Sequence, residues 1–156
     1  METVRNIVCP QCATVNQVVA ERDARKARCG SCKAPLFDGH PVEVDATMFD
    51  KQTSHSSMPV LVDLWAPWCG PCRMMTPAFE EAARLLEPNL RLLKLNSDEH
   101  QEIAARLGIR GIPTLILFAH GYELARTAGV MTTQQIVDWV RSKLPPSAMS
   151  IRRGGH

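Results

Sequence analysis

Apolar and polar residues alternate in blocks along most of this chain, and the blocks predict an α/β order. Residues 59–65 (PVLVDLW) form a nearly unbroken apolar run, the pattern of a strand covered on both faces. Met75, Phe79, Ala82 and Leu86 then recur every three or four residues, which predicts a helix, with Pro77 inside it as an expected kink. Residues 90–96 (LRLLKLN) read as the next strand, so residues 59–96 predict a right-handed βαβ unit. Asp98 is placed to cap a helix running to about Leu107, which Gly108 ends. Residues 114–120 (TLILFAH) and 122–129 (YELARTAG) predict an antiparallel hairpin turning at His120 and Gly121. Thr132 or Thr133 opens a last helix whose apolar contacts come from Ile136, Val137, Trp139 and Val140, and Pro145-Pro146 stops it. Upstream, PVEVDA at 41–46 reads as a short strand and residues 47–52 as a short helix.

The first 40 residues break this pattern. Their core candidates are Ile7, Val8, Val15, Val18, Val19, Leu36 and Phe37, too few to fold such a segment without a staple. FDGHP at 37–41 carries turn residues, so the expected division is a small module at 1–40, an α/β domain at 41–145 and a disordered tail at 146–156. Composition narrows the function classes. Of the 156 residues 45% are apolar, and the net charge of +2 argues against bulk attraction to nucleic acid or membrane. The basic run at 22–28 (RDARKAR) has no interleaved aromatic residue for base stacking and reads as a solvated loop. No 18-residue apolar stretch exists, and the N-terminus lacks the apolar core of a secretory leader, so the expected compartment is the cytoplasm. There, six cysteines point to metal binding or catalysis rather than to a disulfide framework.

The cysteines form three CxxC pairs: CPQC at 9–12, CGSC at 29–32 and CGPC at 69–72. Cys9, Cys12, Cys29 and Cys32 have the spacing of a tetrathiolate zinc site. Four thiolates fill a tetrahedral shell, so the ion is expected to be structural, with redox-sensitive release as a further possibility. Iron, or two disulfides, are the competing readings. Neither of these two pairs is expected to follow a buried strand or to open a helix.

The third pair has that setting. It follows the apolar run and begins the helical pattern, where unpaired N–H groups and the helix dipole favour a thiolate. Cys69, nearer the exposed end, is the expected nucleophile, and Cys72, further in, the resolving thiol; Gly70 and Pro71 shape the turn between them. Asp63 sits in an otherwise apolar strand, where desolvation is expected to raise its pKa; it either takes the Cys72 proton or is tied up structurally with Lys94. Lys94 on the neighbouring strand either tunes that carboxylate or snorkels at a sheet edge. Pro113 precedes a strand, and X-Pro bonds are trans by default.

VDLWAPWCGPC, KLNSD, RGIPTL and AGV stand here in the order and spacing found in thioredoxins, and residues 42–144 resemble that family. With the four N-terminal cysteines, the whole chain resembles the zinc-containing bacterial thioredoxins. The resemblance implies a thioredoxin fold: a central mixed β-sheet flanked by helices, here with a zinc-ribbon-like module in front. It implies a protein-disulfide reductase, monomeric, reduced by an NADPH-dependent thioredoxin reductase and binding no organic cofactor. It also implies a cis peptide at Ile112-Pro113, and a rim of Trp68, Ile112, Pro113, Gly129 and Val130 that receives the substrate backbone. The alternatives are a redox adaptor directed to partners by its zinc module, and a thiol oxidase or isomerase.

Overall fold

A computed structural model describes residues 3–145; the tail expected at 146–156 lies outside them. Two short strands come first, β1 (Val4–Val8) and β2 (Val15–Val19). They are followed by β3 (Val42–Glu43), α1 (Ala46–His55), β4 (Val60–Trp65), α2 (Gly70–Leu86), β5 (Arg91–Asn96) and α3 (Gln101–Arg106). The described chain ends with β6 (Thr114–Ala119), β7 (Tyr122–Ala128) and α4 (Thr133–Lys143). β3 to β7 make one mixed sheet in the order β3-β5-β4-β6-β7. β3, β5 and β4 run parallel, β6 pairs antiparallel with β4, and β7 pairs antiparallel with β6.

The sheet is covered on both faces, which is why β4 reads as a continuous apolar run. Val60, Val62 and Leu64 pack with Phe49 of α1 and Ile103 of α3. Leu61, on the opposite face, packs with Met75 and Phe79 of α2 and Ile136, Val137 and Val140 of α4. Alternation then puts Asp63 on the same face as Leu61, below the helix that starts at the third CxxC.

Local chemistry sets the ends of the elements. The Asp45 side chain accepts from the Met48 N–H at 2.8 Å and starts α1 one residue before the expected start at Thr47; the helix runs on to His55 because Phe49, Gln52 and Thr53 are all buried. Thr132 and Gln135 form a reciprocal capping box at α4. His120 (φ 53°) and Gly121 (φ 83°) both take positive φ, as a tight hairpin turn with primed geometry demands. Asp98 does not cap α3. Asn96 Oδ1 instead accepts from the N–H groups of Asp98 at 2.9 Å and Glu99 at 3.3 Å, and α3 begins after His100 with no side-chain cap. Gly108, at φ 67°, ends that helix as expected.

The N-terminal segment is an antiparallel hairpin followed by a 3-10 turn at Ala24–Lys26. Ile7, Val18, Leu36 and Phe37 are buried there together with Ala24 and Ala27, from within the basic run, and Met58 from the linker before β4. Val15 stays exposed and Val19 half-buried, because one hairpin face looks outward. The joint to the main sheet is polar. The Val8 carbonyl accepts from Gln52 Nε2 and from Arg91 Nη2, each at 3.1 Å, and the Arg91 guanidinium lies 4.1 Å from the Phe37 ring centroid. Asn6 and Ser57 close a second pair of bonds, 2.7 and 2.9 Å. Arg91 is 1% exposed. Burial pushes the nearby Glu87 carboxyl up to about 7 against the opposing attraction of Arg91. Arg91→Leu therefore removes a bond, a ring contact and the cation facing a buried acid. It is expected to cost about 3 kcal/mol, read by urea unfolding of the metal-loaded protein. A loss below about 1 kcal/mol contradicts this account of the joint.

Candidate functional site

Cys69 is the N-cap residue of α2, and Cys72 closes the helix's first turn. The two form a disulfide with their Cα atoms 5.2 Å apart. The Cys72 N–H donates to Cys69 Sγ at 3.2 Å. That donor is one of the groups left open at a helix N-terminus, and it favours negative charge on Cys69. Exposure does not separate the two sulfurs as the sequence had suggested, since each residue is 3% exposed in the disulfide. The asymmetry lies in the hydrogen bond. Pro71 and Gly70 occupy the first two helical positions, where a missing N–H costs nothing.

Asp63 is 1% exposed, and its Oδ1 meets no hydrogen-bond donor among the described residues. Burial pushes its carboxyl up to about 7; Lys94 opposes that rise and Glu43 adds to it. Lys94 stands in register with Asp63, on a strand flanked on both sides, so it is not an edge residue. Its Nζ lies 4.7 Å from the centroid of the Trp65 ring.

Of the expected rim residues, Ile112 packs against the disulfide. Ile112-Pro113 is a cis peptide, and the Ile112 carbonyl oxygen lies 3.8 Å from Cys69 Sγ. The Gly129 N–H donates to the Pro113 carbonyl at 3.0 Å. Gly129 has φ 101°, a conformation that favours glycine. Trp68 is 68% exposed and Val130 is exposed beside Gly129. Trp68 Nε1 donates to Asp98 Oδ2 at 2.6 Å, so the residue read as a helix cap holds the exposed indole.

The other four cysteines converge. Sγ atoms of Cys9, Cys12, Cys29 and Cys32 all lie within 4.8 Å of one another. The pairs Cys9–Cys32 and Cys12–Cys29 are each 3.6 Å apart. A tetrahedral ion with bonds of about 2.3 Å puts its sulfurs roughly 3.8 Å apart, so the residues fit zinc. Each CxxC forms the same knuckle. The residue after the second cysteine, Ala13 or Lys33, takes positive φ and donates to the first cysteine's carbonyl at 2.9 or 3.0 Å. Gln11 and Ser31 N–H groups donate to Cys9 and Cys29 Sγ, each at 3.4 Å. Burial pushes Cys9 up to about 11, while the Cys32 N–H and then Asn16 hold Cys29 down to about 6. Contrary to the expectation from sequence, the first knuckle does follow a strand with a buried end, Ile7 and Val8, both 0% exposed. Neither knuckle opens a helix, which is the feature that sets the third pair apart.

Three contacting residues escaped the sequence reading: Glu43 near Lys94, Asp98 at Trp68, and Asn16, whose Oδ1 accepts from the Gly30 N–H at 2.9 Å. Among the described residues no helix is long and apolar enough to cross a membrane.

The comparisons agree with this geometry. The thioredoxin family model matches residues 40–142. Thioredoxin C-3 of Corynebacterium nephridii is 36% identical over 138 residues, covering 88% of this chain and 94% of its own. That span is too long to fit inside the family-model match and reaches into the cysteine-bearing segment. Thioredoxin 1 of Synechococcus elongatus is 45% identical over 87 residues, 56% of this chain and 80% of its own. Among solved structures, a mutant thioredoxin from Halobacterium salinarum NRC-1 superposes with a TM-score of 0.62 at 34% identity, over 70% of this chain and 97% of that one.

Proposed function

This chain belongs to the thioredoxin family of thiol–disulfide oxidoreductases, and from that premise we propose that Cys69 and Cys72 reduce disulfides in protein substrates in the cytoplasm. The observation that supports this most directly is the Cys72 N–H bond to Cys69 Sγ at the start of α2. In the reduced protein the Cys69 thiolate attacks one sulfur of the substrate disulfide. A mixed disulfide forms, and the other substrate sulfur leaves as a thiolate that takes a proton. Cys72 then gives its proton to the Asp63 carboxylate and attacks Cys69 Sγ. The second substrate thiol is released and the Cys69–Cys72 disulfide closes, so two electrons have passed to the substrate. An NADPH-dependent thioredoxin reductase supplies two more, with two protons, and reopens the Cys69–Cys72 disulfide. Trp68, Ile112, Pro113, Gly129 and Val130 form the rim that receives the substrate, and the protein works as a monomer with no organic cofactor.

Cys9, Cys12, Cys29 and Cys32 hold one zinc ion, which when bound supplies folding energy rather than reaction chemistry, because four thiolates leave no open position. The module is residues 1–40, and it packs on the sheet through Val8 and Arg91.

Asp63→Asn tests the proton-acceptor role. Resolution of the mixed disulfide is expected to slow by about 10- to 100-fold at pH 7, in single-turnover kinetics. Stability moves the other way. Asp63 holds its proton more tightly folded than unfolded, so its charge costs nothing below the unfolded value and costs progressively more as pH rises from about 4 to about 7. At pH 8 the Asn variant is expected to gain about 3–4 kcal/mol in urea unfolding, and at pH 3.5 almost nothing. An unchanged resolution rate removes Asp63 from the mechanism.

A further inference from the structure

Glu43, Lys94 and Asp63 are cross-strand partners in one row. Glu43 of β3 is in register with Lys94 of β5, which is in register with Asp63 of β4. In-register partners share a sheet face, with adjacent strands about 4.8 Å apart. The single cation therefore stands between two carboxylates, and it forms no contact ion pair with either among the described residues. Trp65, two residues beyond Asp63 on the same face, fastens the outer part of the row. Its Nε1 donates to Glu43 Oε2 at 3.2 Å, and its ring lies under the Lys94 ammonium at 4.7 Å.

We propose that Glu43 is a positioning residue for the redox reaction: bound to Trp65, it draws Lys94 away from Asp63 and so weakens the attraction between that cation and the buried carboxylate. This rests on the proton-acceptor reading of Asp63. The groups facing Asp63 are few. β5 presents Lys94, and β3 beyond it presents Glu43. β6 presents Leu115, which carries no charge. The buried residues of α2 and α4, the two helices on that face, are uncharged, and Cys69 and Cys72 do not titrate as a disulfide. Glu43 thus supplies the one negative charge in the row besides Asp63 itself. Its own carboxyl is raised chiefly by desolvation, with Trp65 and then Lys94 opposing and Glu99 adding. Glu43 is exposed, so the coupling is screened and moderate.

The test is the titration of the Asp63 side-chain carboxyl, followed by carbon NMR in the oxidised, metal-loaded full chain. Glu43→Gln keeps an oxygen to accept from Trp65 and loses only the charge. Its Asp63 midpoint is expected to fall by roughly half a pH unit, while Glu43→Asp, which keeps the charge, stays near the parent. Glu43→Ala drops the hydrogen bond as well and must move the midpoint the same way. An unchanged or raised midpoint in both charge-removing variants overturns the proposal. The pH profile of mixed-disulfide resolution in the reduced protein separates the two readings. It should follow the midpoint down in Glu43→Gln. A midpoint that moves with a rate profile that does not means that Asp63 is not the proton acceptor, while the influence of Glu43 on it stands.

Discussion

Cys69→Ser is expected to abolish turnover with an insulin-type protein disulfide, by more than about 1000-fold, while leaving the fold intact. A serine hydroxyl in place of the thiol has no accessible anion at neutral pH, and the N–H of Cys72 at 3.2 Å cannot generate one. Cys72→Ser fails differently. Its Cys69 thiolate still attacks, the first substrate thiol still leaves, and the reaction stops at the mixed disulfide because no second thiol lies within the first helical turn. The variant should therefore accumulate covalent adducts with oxidised substrate, visible on a non-reducing gel and released by dithiothreitol. The two outcomes assign the roles that exposure does not. If the Cys69 variant forms the adducts and the Cys72 variant does not, the roles are reversed; if neither does, the pair is not the reacting couple.

What the sequence made legible follows from contacts that are local. The strand–CGPC–helix order, the hairpin at His120-Gly121 and the two zinc-type pairs depend on spacings of a few residues, and the structure keeps them. The contacts that tune the site depend instead on register between strands distant in sequence. Glu43 meets Lys94, 51 positions on, only because β3 aligns with β5 in one particular register. Asp98 had a plausible local role as a helix cap, but Asn96 took the turn's donors and left Asp98 free to reach Trp68. Arg91 lies within the run 90–96 that the sequence reads as a strand. Its burial against Val8 and Phe37 arises from how the N-terminal hairpin packs on the sheet, which no periodicity encodes. The two knuckles repeat at an offset of 20 residues, and the residue after each pair, Ala13 or Lys33, takes a positive φ that neither residue type signals.

Metal removal is expected to undo the first segment without undoing the redox couple. Purified under reducing conditions, the chain should carry one zinc and show two reactive thiols, those of Cys69 and Cys72. The segment around Cys9, Cys12, Cys29 and Cys32 buries only a small cluster, and part of that is borrowed from Met58. Apparent binding energies of structural zinc are about 10–16 kcal/mol, larger than such a cluster supplies. Chelation, or Cys9→Ser, should therefore release the ion and erase amide-exchange protection in β1 and β2. The five-stranded sheet has its own two cores on either face, and Cys69 and Cys72 stand at the start of α2, outside the knuckles. Protection in β4 and α2 is thus expected to persist, and insulin reduction to stay within about twofold of the parent. The stability of the whole should fall, because Gln52 and Arg91 lose the Val8 carbonyl they share. Six reactive thiols with no bound metal in the untreated protein sink the assignment of two chemistries to one spacing. Retained protection in β1 and β2 after complete zinc loss shows instead that the hairpin folds on packing alone, and that the metal is not its staple.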